Sequence, residues 1–143
     1  MNPYNGFSPQ QRLRALAWIN RKYSLGLRQR PVECDACGQR EGIIDAHSED
    51  YSEPHGDHIG AYSFCYTCHM MIHCRFKAPA AWAIYRDAVA EGATFPPLAT
   101  RNFFAIKRYY LGEAALPTPR MRPAPARKVL HEIEAGLGLR QPP

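Results

Sequence analysis

The stretches Cys34-Asp35-Ala36-Cys37-Gly38 and Cys65-Tyr66-Thr67-Cys68-His69-Met70-Met71-Ile72-His73 carry most of the information in this 143-residue chain. Each C-x-x-C pair lets two thiolates turn toward one ion, and the two pairs together supply four sulfurs for tetrahedral Zn²⁺. Gly38 suits the tight turn that follows a zinc knuckle, and the second pair is expected to open a helix. The interval between the pairs is longer than in a zinc ribbon, so further structure is expected between them. Cys74, the fifth cysteine, is left over as a free thiol.

Zinc held by four protein ligands is closed to other ligands and therefore structural, so the cysteines alone predict stability and no reaction. The histidines add chemistry. His69 and His73 are four apart, on one face of the predicted helix and one turn from each other, able to share a second metal ion or a phosphate. His47 ends Gly42-Ile43-Ile44-Asp45-Ala46-His47, whose apolar and β-branched residues suit a short strand. Three imidazoles at these spacings, tied to a zinc framework of the treble-clef kind, are expected to converge.

Ala46-His47-Ser48-Glu49-Asp50-Tyr51-Ser52-Glu53-Pro54, preceded by C-x-x-C-G and followed by C-x-x-C-H-x-x-x-H, resembles the zinc-containing HNH endonucleases of phages and mobile elements. Those read approximately C-x-x-C-G, A-H-H-x-D-Y-S-x-P and L-C-x-x-C-H-x-x-x-H. The likeness runs from Cys34 to His73 and leaves the rest of the chain uncovered. It implies a ββα-metal unit in which Cys34, Cys37, Cys65 and Cys68 hold structural Zn²⁺. His47, His69 and His73 then match the ligands of a second divalent ion: Mg²⁺, Mn²⁺, Ni²⁺ or Zn²⁺.

Two departures touch the chemistry. The family's general base is the second His of its pair, and that position here is Ser48. Its middle polar residue falls at Gly60, in a loop from His55 to Phe64 that is about four residues longer than usual. A serine does not take a proton from water near neutral pH as imidazole does, and losing a general base typically costs roughly 10² to 10⁴ in rate. His55 and His58 are the candidate surrogate bases, weighed against an exposed polar loop.

Charge is unevenly spread around this centre, with a formal net of +5. Residues 1 to 31 contain no acid, the stretch from Val32 to Cys74 is acidic with Arg40 its one Lys or Arg, and basic residues return from Arg75 to Lys128. Such flanks can meet a polyanion while the centre holds cations. The candidates for phosphate contact are Arg12, Arg14, Arg21 and Lys22 on a first helix, Lys107 and Arg108 on a fourth, and Arg120, Arg122, Arg127 and Lys128 in a linker. Tyr109 and Tyr110 are candidates to stack on bases or to edge a helical core. No apolar run approaches the roughly 18 to 20 residues that cross a bilayer. The first residues lack the charged and apolar regions of a signal peptide, so a reducing cytoplasm is expected.

Punctuation divides the chain further. Ser8, Pro9 and Gln11 form a capping box opening a helix with apolar positions Leu13, Leu16 and Ala17, ending before Gly26. A helix from Cys65 to about Phe76 follows, then one from Pro79 to Gly92 that turns Trp82, Tyr85, Ala88 and Val89 to one side. Thr100 is expected to cap a helix from Arg101 to about Leu111, with Phe103, Ile106 and Tyr110 on one face. The Pro-rich, basic run from Leu116 to Lys128 reads as an extended linker before a short helix at about Val129 to Ala135. The expected fold class is α+β, α-rich, a treble-clef ββα-metal unit with flanking helices. Its segments are a basic helical 1–31, the zinc unit 32–76, a helical pair 77–112, and a linker with terminal helix 113–143.

The function expected from these residues is that of an HNH-type zinc protein binding nucleic acid, with DNA the expected partner and cleavage impaired. The alternative is a non-catalytic regulator or inhibitor that binds DNA, RNA or a nucleic-acid-processing protein. A third, purely structural treble-clef interaction protein would bind partners without salt dependence and without affinity for DNA.

Overall fold

The structure, a computed structural model, describes residues 1–122 and 128–137. Arg127 lies outside the described residues. The elements in order are α1 (Pro9–Ser24), β1 (Ile44–His47), β2 (Tyr62–Cys65), α2 (Tyr66–Cys74), α3 (Pro79–Ala90), β3 (Ala93–Thr94), α4 (Phe103–Tyr110), β4 (Arg120–Met121) and α5 (Val129–Leu137). Among the described residues this is a helix-rich α+β chain with two small antiparallel sheets, β1 with β2 and β3 with β4. No described helix is long and apolar enough to cross a membrane.

The capping box opens α1 as expected: Gln11 N–H donates to Ser8 Oγ at 3.1 Å, and Ser8 N–H donates to Gln11 Oε1 at 2.7 Å. The buried face differs from the expected one. Ala15 and Ile19 are buried and pack with Ile59, whereas Leu13 and Leu16 are exposed. The reason is the partner. α1 lies on a small cluster that includes Tyr51 and Ala46 rather than on the main core, and Ala15 and Ile19, flanked by Trp18 and Tyr23, are the side chains that meet it.

The knuckle and the hairpin are locked together by backbone geometry. Cys34 N–H donates to Gln39 O and Gly38 N–H to Cys34 O, closing a tight turn for which Gly38 adopts φ 76°. Asp35 N–H then donates to Ser63 O at 2.7 Å, while Ser63 N–H donates to Asp35 Oδ2 at 2.8 Å. This two-way clasp brings the first cysteine pair against β2. Register pairs Ile44 with Cys65 and His47 with Tyr62, so the end of β1 stands opposite the start of β2. Cys65 is at once the last residue of β2 and the N-cap of α2, and the chain passes from strand to helix without a loop.

The main core gathers Phe64, Met71 and Ile72 with Trp82, Tyr85 and Val89 of α3, Ile106 of α4, and Leu130 and Ile133 of α5. Each such side chain, when fully buried, contributes about 1.5 to 3 kcal/mol of transfer free energy. α3 therefore presents the expected face. α4 starts later than expected, at Phe103, with Asn102 as its N-cap. Thr100 does not cap it; Thr100 O instead accepts from Asn102 N–H in a turn, which leaves Arg101 outside the helix.

The basic run before α5 is not wholly an extended tether. Arg120 and Met121 pair with Thr94 and Ala93, and Leu116 packs against the core. The short β3 edge offers backbone partners, and Arg120 to Arg122 contains no proline to withhold an N–H. α5 is fastened to α3 by Arg86 Nη1 donating to Glu134 Oε1 at 2.8 Å and by Trp82 Nε1 donating to Glu134 Oε2.

Candidate metal centres

Cys34, Cys37, Cys65 and Cys68 converge behind the hairpin, all buried, with their sulfurs within 4.8 Å of one another. The separation of Cys37 Sγ and Cys65 Sγ is 3.7 Å. A tetrahedron with zinc–sulfur bonds of about 2.3 Å has edges of about 3.8 Å, so the spacing fits Zn²⁺. All five cysteines are unbridged. Burial raises the cost of a thiolate here, yet hydrogen bonds from Cys37, Cys65 and Cys68 pull Cys34 well below the ordinary thiol range, while hydrogen bonding to Cys34 and Cys37 pushes Cys65 and Cys68 up. A buried divalent cation held by these four sulfurs would remove that conflict by neutralising the charge they share. Tyr85 OH lies 3.0 Å from Cys68 Sγ, an outer hydrogen bond of the kind that tunes a thiolate ligand.

A second cluster draws on β1 and α2. His47, His69 and His73 bring potential ligand atoms within 4.8 Å of one another. The Nε2 atoms of His69 and His73 are 3.2 Å apart, and the His47 ring stands edge-on to both at 5.2 and 5.1 Å. The strand end and one turn of α2 create this geometry. The i, i+4 spacing stacks His69 over His73, and the β1–α2 packing delivers His47 to them.

Two of the three rings are oriented from behind. His69 Nδ1 faces Asp45 Oδ2 at 3.1 Å, and Arg101 grips the same carboxylate with two bonds of 2.7 Å. Burial alone would raise the Asp45 carboxyl, but the hydrogen bonds from Arg101 and His69 hold it below the usual carboxylate range. His47 Nε2 meets Glu49 Oε2 at 2.6 Å, and Arg75 Nη2 donates to Glu49 Oε1 at 2.8 Å. Tyr4 OH donates to Glu49 and accepts from Arg75 Nη1 at 2.6 Å. His47 Nδ1 is thereby left buried with no hydrogen-bond partner. A ring with an orphaned buried nitrogen, packed against two more imidazoles, belongs to the donor set of a borderline-soft divalent ion. Burial lowers His47 to about 4 against the upward pull of Glu49, and burial likewise lowers His73, so both rings favour the neutral form that ligates.

Asp45, Glu49, Arg75, Arg101 and Tyr4 escaped the sequence reasoning. Alternation in Asp45-Ala46-His47-Ser48-Glu49 places every second residue on one face of an extended chain and was the available signal for the two acids. Tyr4, Arg75 and Arg101 have no local signal.

The remaining expected site residues fall elsewhere. Ser48 is buried, and its Oγ accepts from Gly60 N–H at 2.6 Å. His58 Nε2 lies 2.7 Å from Ser52 O, and His55 packs beside Trp18 with ring centroids 5.8 Å apart. Neither belongs to the three-histidine group. Of the cations, Arg12 lies over the rings of Tyr4 and Tyr51, Arg14 pairs with Glu53 at 2.7 Å, and Lys22 sits over Trp18. Arg21, Lys107, Arg108, Arg120 and Lys128 are exposed. Arg122 is half-buried, and its guanidinium reaches Ala36 O, Val89 O and Gly92 O, each at 3.4 Å. Tyr109 OH donates to Ala81 O and both Tyr109 and Tyr110 edge the core, the packing alternative.

No family model, curated protein or solved structure matches the chain.

Proposed function

We propose that the chain is an HNH-type nucleic-acid-binding protein, a ββα-metal unit spanning 32–76 within a zinc frame, whose phosphodiester cleavage is impaired. The observation that carries the proposal is the convergence of His47, His69 and His73 at a strand end and one helix turn, on the same hairpin and helix that contribute to a buried four-cysteine cluster. When bound, a divalent ion would polarise a phosphoryl oxygen and stabilise the charge that grows on it during displacement.

What the chain itself supplies is holding and orientation. Asp45 and Glu49 fix the outward nitrogens of His69 and His47, leaving His69 Nε2 and His47 Nδ1 for the ion. The missing element is a proton acceptor. Ser48 occupies the family's base position, is buried, and spends its oxygen on Gly60 N–H. Neither His55 nor His58 is among the residues lining the cleft over the imidazoles. Binding without efficient turnover is the outcome of that arrangement. The unbridged cysteines suit a reducing compartment.

The test is a nuclease and gel-shift assay of wild type, His69→Ala and Ser48→His with Mg²⁺, Mn²⁺ or Ni²⁺. The expected result is salt-sensitive binding by wild type with little or no product. Vigorous cleavage by wild type that vanishes in His69→Ala would overturn the impaired site and restore an active nuclease. Absence of nucleic-acid binding under every condition would overturn the whole proposal.

A further inference from the structure

Above His69 and His73 opens a cleft of about 950 Å³, walled by the N-terminal segment Met1–Asn5, by α1 and by the ends of α2 and α4. His69 and His73 line it. Its lining carries the cations Arg12, Arg30, Lys77 and Arg101 against a single acid, Asp45, which Arg101 already neutralises. A polyanion is the complementary occupant. The lip is aromatic: Phe76 is 58% and Phe103 38% exposed, and both line the cleft with Tyr110, whose ring lies 6.2 Å from that of Phe103. Exposed aromatic planes beside cations in a concave channel are the elements that hold unpaired nucleobases by stacking.

The N-terminal wall is fastened down. Asn5 Nδ2 donates to Glu49 O at 2.8 Å, and Tyr4 is tied to Glu49 and Arg75. The imidazoles consequently lie recessed, with the His47 side chain fully covered and that of His69 only 16% exposed. A cleft of this size is that of a small-ligand site, roughly 300 to 1,000 Å³. It has room for a few splayed nucleotides and not for the body of a duplex. We infer that the cleft takes single-stranded polynucleotide, with bases stacked on Phe103 and Phe76 and phosphates led past Lys77 and Arg101 toward His69 and His73. This deepens the function proposed above and rests on it.

The experiment is fluorescence anisotropy of the zinc-loaded full chain with a labelled single-stranded DNA, the RNA of the same sequence, and the DNA duplex, at one fixed salt concentration. Single strands, DNA or RNA, are expected to bind at least about tenfold more tightly than the duplex. Phe103→Ala and Phe76→Ala should each weaken single-strand binding about 5- to 150-fold, the worth of one stacked base. Phe103→Tyr should retain binding, and Ile84→Ala, an exposed position on α3 outside the cleft lining, should leave it unchanged. Both aromatic residues are exposed enough that circular dichroism should show the variants folded. Equal or tighter binding of the duplex, or unchanged single-strand affinity in both folded aromatic variants, overturns the inference while leaving nucleic-acid binding intact. Absence of binding to all three probes overturns it together with the proposed function.

Discussion

Arg75 Nη2 donates to Glu49 Oε1 at 2.8 Å with both side chains buried, and this pair joins the end of α2 to the loop that follows β1. The same carboxylate orients His47, so one buried ion pair supports both the packing of α2 and the direction of a candidate ligand. Removing one partner leaves the other charge unpaired in the interior, which typically costs about 3 to 5 kcal/mol. Arg75→Ala should therefore lower unfolding free energy by that amount in urea titration, and Tyr4→Phe by about 1 to 3 kcal/mol through lost hydrogen bonds.

The pH dependence of this network has a definite sign. Burial pushes the Glu49 carboxyl up, but His47, Arg75 and Tyr4 together hold it below its usual value. Its contribution is fully present above the unfolded carboxyl value of about 4.3 and is lost as pH falls through the lower folded value. Glu49→Gln should flatten the acid limb of the stability profile measured by thermal melts between neutral and acid pH.

Arg101 reaches Asp45 from outside α4, and Asp45 in turn holds His69. Groups that orient a ligand typically change metal affinity 10- to 100-fold when lost. Arg101→Ala and Asp45→Asn should weaken occupancy of the histidine site by about that factor in calorimetric titration with Zn²⁺ or Ni²⁺. The four-cysteine site should be unaffected in both.

The sequence-based expectations hold where the cause is local and falter where it is not. The capping box of Ser8 and Gln11 acts within four residues, and the C-x-x-C pairs and the i, i+4 histidines are equally short-range, so each was visible. The buried stripe of α1 depends on what lies beneath it, and Ala15 and Ile19 were chosen over Leu13 and Leu16 by a loop some 40 residues away. The basic, proline-rich context of Arg122 carries no sign of the carbonyls of Ala36, Val89 and Gly92 that its guanidinium reaches, brought there by β3–β4 pairing. Tyr4 illustrates the same limit, since its partner Glu49 is a distant residue with no pattern linking the two.

The cations should separate by role. Arg122→Ala is expected to lower the thermal midpoint through loss of about 1 kcal/mol while leaving the salt dependence of nucleic-acid binding unchanged. Arg21→Ala, at an exposed position, should leave the midpoint unchanged and, if it contacts a phosphate, reduce the slope of log affinity against log salt by about 0.7 to 0.9. Parallel melts and anisotropy titrations decide between the two behaviours.

Gly42 lies at the entry to β1 with φ 70°, and a Cβ there would sit 2.5 Å from Leu98 O, a backbone atom with no freedom to retreat. Ile43 N–H donates to the same oxygen at 2.9 Å, so the contact fixes where the strand begins. Gly42→Ala should destabilise by about 2 kcal/mol or more, from the left-handed backbone and the clash together, measurable by urea titration.

The proposed function depends most on the four buried sulfurs holding one Zn²⁺ that the fold needs. The direct measurement is metal content of the purified chain combined with circular dichroism before and after stripping by a strong chelator. At least one tightly held zinc per chain is expected, with loss of helical signal on its removal and recovery when Zn²⁺ is returned. A chain that stays folded after complete demetallation, or whose Cys34 and Cys68 react freely with a thiol reagent in the native state, would contradict it.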